Sequence, residues 1–190
     1  VNAFPLFSGD ILNIRKIEQG LEQMRRLPSQ DVDIDIQPAN EAGQSDLVIT
    51  VKRTKPWRIV TSMDDSGTKD TGKTQFTTAF GLDNLLGLND MLYISYNKDA
   101  VRDGERKGTR ADSFYYSIPL GNQTFTINRS KNEYHQTVET AVLPMKYSGE
   151  STYTQFTVTH MLHRNQKGKL DLEVGIIKKS RRSFIDNTEI

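Results

Sequence analysis

The sequence predicts a large antiparallel β-sheet, closed or nearly closed on itself, with a small α+β unit in front of it. Three observations predict this. The first is a recurring strand with one apolar and one polar side. In Lys73–Leu82, Phe76, Phe80 and Leu82 alternate with Gln75, Thr77 and Gly81. The pattern returns at Leu92, Ile94 and Tyr96, at Phe114, Tyr116 and Ile118, and at Leu170, Leu172, Val174 and Ile176 against Asp171 and Glu173. Successive strand side chains point to opposite faces, so each segment is a two-faced ribbon. The second is the connections: Asp64–Gly72, Asn97–Thr109 and Arg129–Glu139 are polar or charged, whereas Asn84–Asn89, Pro119–Asn122 and Ser148–Ser151 are short turns. Short turns at one rim and longer polar loops at the other are the habit of an outer-membrane barrel. The third is that residues 1–54 follow a different rhythm, helix before strands.

Composition sets the outer limits. The chain has 190 residues and a formal net charge of +1, which gives no electrostatic case for a nucleic-acid partner. It has no cysteine, so disulfides and thiolate-held metals are excluded. No apolar run approaches the ~18 residues of a helical membrane span, a test that is blind to membrane strands. The chain starts at Val1 with neither a methionine nor a signal peptide, and it reads as a piece of a longer precursor.

In order, Val1–Phe7 is an irregular lead-in. Asn13 is placed to cap a helix that ends before Pro28, and Ile14, Ile17, Leu21 and Met24 form its apolar stripe. Its other face, with Arg15, Lys16, Glu18, Glu22, Arg25 and Arg26, reads as solvated. Val32, Ile34 and Ile36 then alternate with Asp31, Asp33 and Asp35; a turn-rich loop leads to a strand marked by Leu47, Ile49 and Val51. This unit has too few apolar residues to be complete, and an upstream strand and helix are expected. Lys52–Pro56 is the boundary, giving units 1–54 and 55–190. Eight strands follow: Trp57–Asp64, Lys73–Leu82, Asp90–Lys98, Arg110–Leu120, Gln123–Tyr134, Thr140–Tyr147, Thr152–His163 and Lys169–Lys179.

Several motifs have blander explanations. Gly67–Thr74 matches the phosphate-loop pattern G-x-x-x-x-G-K-[ST] literally. That chemistry needs a helix after the loop, and Gln75 onward alternates with period two, so a hairpin loop is the better reading. His160 and His163, three apart on a strand, are expected on opposite faces, and His135 stands alone, so no metal site is read here. Asp31, Asp33 and Asp35 share a face that is best read as solvated. No nucleophile–base arrangement or catalytic carboxylate pair is present, so neither catalysis nor a cofactor is expected. Trp57, Tyr96, Tyr115, Tyr116 and Tyr147 near strand ends suit an interfacial girdle or an ordinary β-core.

Leu12–Ser29, Asp64–Gly67 with Gly72, Gly81–Asp90, Tyr134–Thr137, Tyr147–Gly149, Arg164 and Phe184–Ile190 together resemble the two-partner-secretion outer-membrane transporters. This is the TpsB family of haemolysin secretion/activation and contact-dependent-inhibition transporters, in the POTRA-plus-barrel superfamily. The resemblance implies a transmembrane antiparallel β-barrel of roughly sixteen strands, of which about half is here, preceded by part of a second periplasmic POTRA domain. It implies an outer-membrane pore, monomeric and non-enzymatic, that passes a large TpsA-type exoprotein recognised through its N-terminal secretion domain. The expected recognition residues are Ile14, Ile17, Leu21, Leu47, Ile49 and Val51. Phe76, Phe80, Leu170, Leu172, Val174 and Ile176 are expected to face outer-membrane lipid, and a change at Gln75 on the wet face is expected to be nearly silent for insertion. A barrel-assembly insertase of the same superfamily, or a soluble all-β ligand-binding domain, remains an alternative.

Overall fold

The computed structural model describes residues 2–100, 106–140, 143–186 and 188–190. Helix α1 (Ile14–Arg25) starts where the Asn13 side chain accepts a hydrogen bond from the Arg15 backbone N–H. Strands β1 (Gln30–Pro38) and β2 (Ser45–Arg53) form an antiparallel hairpin in which Val32, Ile34 and Ile36 sit opposite Val51, Ile49 and Leu47. That apolar face lies against α1. Ala3, Phe4, Met24 and Val32 are buried, and Leu21, Ile34, Leu47, Ile49 and Val51 pack around them. The odd face of β1 carries Asp31, Asp33 and Asp35; Arg25 pairs with Asp33 at 3.4 Å and donates to the Val32 carbonyl.

The second sheet has eight strands, β3 (Trp57–Asp64), β4 (Gln75–Asp83), β5 (Met91–Asp99), β6 (Lys107–Leu120), β7 (Gln123–Val138), β8 (Met145–Arg164), β9 (Lys169–Ile185) and the short β10 (Thr188–Glu189). They pair in sequence order, each antiparallel to the next, as an open meander. The sheet is one strongly extended layer, without closure among the described residues.

The strands differ from the expected ones in two places. Thr140–Tyr147 and Thr152–His163 are not two strands, because Ser148–Ser151 runs straight through as the middle of the 20-residue β8. Gly149 sits opposite Tyr134, and a Cβ there would stand 2.7 Å from that ring, so the glycine marks a close approach and not a turn. Arg129–Val138 is likewise strand, although it is polar on both faces. These ends project past the apolar belt, where neither side needs to be greasy. The corrected pairing puts Asn84–Asp90, Gly121–Asn122 and Asn165–Gly168 at the rim next to α1, with the longer connections opposite. Residues 101–105, in the expected connection Asn97–Thr109, and 141–142, in the expected strand Thr140–Tyr147, lie outside the described residues.

Candidate functional site

The functional surface is the sheet itself, and its register defines two faces. One row reads Leu82, Leu92, Tyr116, Ile127, Phe156, Ile176 across β4 to β9. The alternate positions are Thr77, Ser95, Ser113, Asn128, Gln155, Lys179 and Arg181, with Asn97 donating to Thr77 at 2.8 Å and Ser95 bonded to Ser113 at 2.6 Å. The apolar belt does not follow the hydrogen-bonded rows. On β4 its outermost member is Phe76, six residues beyond Leu82; on β9 it ends at Ile176, which aligns with Leu82. Six residues at ~3.3 Å, across five strand spacings of ~4.8 Å, make a slope of about 40°, the tilt of strands in a membrane barrel. A belt that is oblique to the register rows by this angle lies level when the strands tilt by the same amount.

Phe76, Phe80, Leu170, Leu172, Val174 and Ile176 all lie on that belt face, and no second layer packs on them; Val174 is 62% and Ile176 74% exposed. Of the helical-unit residues, Ile17 is buried, and Leu21, Leu47, Ile49 and Val51 are half-buried against the core, while Ile14 is 62% exposed. Gln75 lies on the polar face of β4. It is buried, donating to the Gly72 carbonyl at 2.6 Å and accepting from Thr109.

The charged face of α1 is not simply solvated, and this is the feature that the sequence pattern concealed. Arg164, at the end of β8, donates to Gln19 at 3.0 Å and pairs with Glu22 at 2.5 Å and Glu18 at 3.6 Å. Lys169, at the start of β9, pairs with Glu22 at 2.9 Å. Arg26 donates to the hydroxyl and carbonyl of Ser117 at 3.0 and 2.8 Å, and Gln23 donates to Thr124 at 3.1 Å. Partial burial alone would raise the Glu22 carboxyl, but the hydrogen bonds and charges of Lys169 and Arg164 outweigh it and hold that carboxyl below its usual range.

The turn Asn84–Asp90 completes the junction. Asn84 and Asn89 take left-handed conformations (φ 60° and 59°), and the fully buried Asp90 accepts from the Leu86 and Leu88 backbones and from the Tyr116 hydroxyl. Asn89 thereby reaches the Gln23 carbonyl, and Asp83 accepts from the Ser29 backbone while paired with Arg58 at 3.0 Å.

The remaining motifs resolve simply. Gly67–Lys73 closes on itself through the Gly67 N–H donating to the Lys73 carbonyl at 2.9 Å, and leads into β4 rather than a helix. His160 and His163 do not lie on opposite faces as expected. A bulge between Met161 and His163 sets His160 opposite Leu172 and His163 opposite Leu170, which are alternate residues of one face. Among the described residues, no three His, Asp or Glu side chains gather as a metal site.

The profile of the haemolysin secretion/activation protein ShlB/FhaC/HecB family matches residues 43–190, and a POTRA domain profile matches residues 1–38. The outer membrane transporter CdiB-2 of Burkholderia pseudomallei is 40% identical over 188 residues, covering 99% of this chain and 32% of that protein. The hemolysin transporter protein HpmB of Proteus mirabilis is 30% identical over 190 residues, 98% of this chain and 33% of its own. The solved structure of CdiB from Escherichia coli superposes with a TM-score of 0.92 at 27% identity, covering all of this chain and 35% of that one. The chain thus spans about a third of the length of the relatives it matches.

Proposed function

The chain belongs to the haemolysin secretion/activation family, and on that premise we propose that its protein is an outer-membrane pore that carries a large exoprotein from periplasm to cell surface. The exoprotein is an adhesin, a haemolysin or a contact-dependent toxin. The observation that carries this reading is the two-faced wall: a level apolar belt outside, and hydroxyls, amides and charges inside. A polar lumen offers an unfolded chain hydrogen-bonding partners without a fixed binding site, so the passenger slides. No bond is made or broken by the pore, which acts as a conduit and not as an enzyme. Folding of the passenger outside makes its return unfavourable and supplies direction.

The α+β unit, residues 1–54, is the periplasmic receptor, and residues 55–190 are the first half of a monomeric barrel. Its β2 pairs only with β1 among the described residues. An extended segment of the exoprotein's N-terminal secretion domain adds to the β2 backbone near Leu47–Val51, or lies along α1 beside the exposed Ile14. Leu47, Ile49 and Val51 keep their side chains in the core meanwhile, so recognition there is through the main chain. A photo-crosslinker in place of the exposed Val48 in the full-length protein tests this. The expected product joins it to the exoprotein's N-terminal region during export. Capture of nascent barrel proteins instead would favour an insertase.

A further inference from the structure

The outer wall carries more charge than a lipid-facing surface needs, and the charge is ordered. Across β5 to β9 one register row of the belt face reads Lys98, Arg110, Glu133, Glu150, Arg182. It lies on the cell-surface side of the apolar belt. Beside it is a hollow of about 790 Å3, lined by Lys98, Arg110 and Lys146 and by Phe76, Tyr96 and Phe184. The next row reads Gly108, His135, Ser148, Phe184, and all four line the hollow. The His135 ring leans over Gly108, leaving no room for a Cβ there.

Two features of this hollow fit a single occupant. Of its three acids, Glu133 pairs with Lys131, Glu150 pairs with Lys131 at 3.5 Å and Arg182 at 3.8 Å, and the buried Asp99 accepts from the Thr109 backbone N–H. Arg110 is held by Asp112 at 3.1 Å and lies over the Tyr96 ring. Lys98 and Lys146, both exposed, make no ion pair with any described residue. Two uncommitted ammonium groups therefore face a cavity with aromatic walls, and Phe76 joins those walls to the apolar belt. Cations above an apolar belt meet the headgroup layer, where they attract anionic groups. The geometry points to a lateral binding site for a phosphorylated glycolipid of the outer leaflet, with phosphate on Lys98 and Lys146 and the start of the acyl chains on Phe76. This site rests on the lipid-facing reading of the belt.

The test uses the full-length protein in detergent, with native mass spectrometry of bound bis-phosphorylated lipid A, dephosphorylated lipid A and phosphatidylglycerol. Bis-phosphorylated lipid A is expected to bind best, and Lys98→Gln and Lys146→Gln to weaken it about fivefold each. Binding of the dephosphorylated form should not change, and Lys179→Gln on the inner face should alter nothing. Retained heat-modifiable electrophoretic mobility establishes that each variant folds, and either of the two substitutions, Lys98→Gln or Lys146→Gln, serves if the other does not. Equal binding of phosphorylated and dephosphorylated lipid, or undiminished binding by the variants, overturns the site. Equal binding of phosphatidylglycerol overturns its assignment to a glycolipid. Failure of the belt reading itself would show separately, as normal insertion of a Val174→Lys variant.

Discussion

Glu22 and Gly149 are residues whose importance comes from single contacts. Glu22 holds two cations of the barrel rim, and its carboxyl is depressed below the ordinary range by them despite its partial burial. A depressed carboxylate contributes stability that is present above its unfolded pKa and lost as pH falls through the folded one. Amide hydrogen exchange of α1 in the full-length protein should therefore be slow at neutral pH and accelerate below about pH 4.5. Glu22→Gln should abolish that acid-dependent step, and raised salt should shrink it, since these groups are partly solvated. For Gly149, a valine would drive its side chain into the Tyr134 ring, costing about 1–3 kcal/mol. Urea unfolding followed by heat-modifiable mobility should register the loss, and a Tyr134→Ala partner substitution should recover part of it. Neither role was legible in the sequence. Periodicity shows that Glu22 is on the outside of a helix, but not that another element is waiting there. A glycine among serines reads as a turn until the tyrosine opposite it is known.

Strands and helix were legible to different degrees, for physical reasons. The helix, the β1–β2 hairpin and the central strands each have one dry side, so alternation or a helical stripe reveals them. The outer halves of β6 to β9 have none: Arg129–Val138 and Ser148–Ser151 carry polar residues on both faces, and periodicity falls silent where neither face is buried. Missing this split β8 in two and moved the third short turn away from Asn165–Gly168. The bulge at Met161–His163 is similarly hidden, since one extra residue reverses the alternation on which the argument depends. The belt itself was legible, because four alternating apolar residues from Leu170 to Ile176 need a common apolar neighbour. On this strand, Val174→Lys should cost about 2–4 kcal/mol of folding in bilayers, while Glu173→Lys should be close to neutral. Gln75, buried and hydrogen-bonded, is no substitute for Glu173 as the control.

At the scale of the whole molecule, the α+β unit is fastened to one rim of the wall by ion pairs and side-chain hydrogen bonds. Arg164, Lys169, Ser117 and Thr124 hold one face of α1, while Asn89 and Asp83 hold its C-terminal end and the start of β1. Such a joint fixes the orientation of the helix on the rim. Arg164→Ala combined with Lys169→Ala should leave the barrel folded and lower exoprotein display at the cell surface, measured by antibody labelling of intact cells. Everything at this scale presupposes that hydrocarbon covers the belt face. Residues 1–190 contain no cysteine, and single cysteines placed one at a time from Leu170 to Ile177 of a full-length protein freed of any cysteine elsewhere can carry a nitroxide without ambiguity. In lipid vesicles, collisions with dissolved oxygen should peak at Leu170, Leu172, Val174 and Ile176, and collisions with a water-soluble nickel chelate at Asp171, Glu173 and Gly175. Profiles without that two-residue alternation, or with the nickel maxima on the leucine–valine–isoleucine set, would contradict the account.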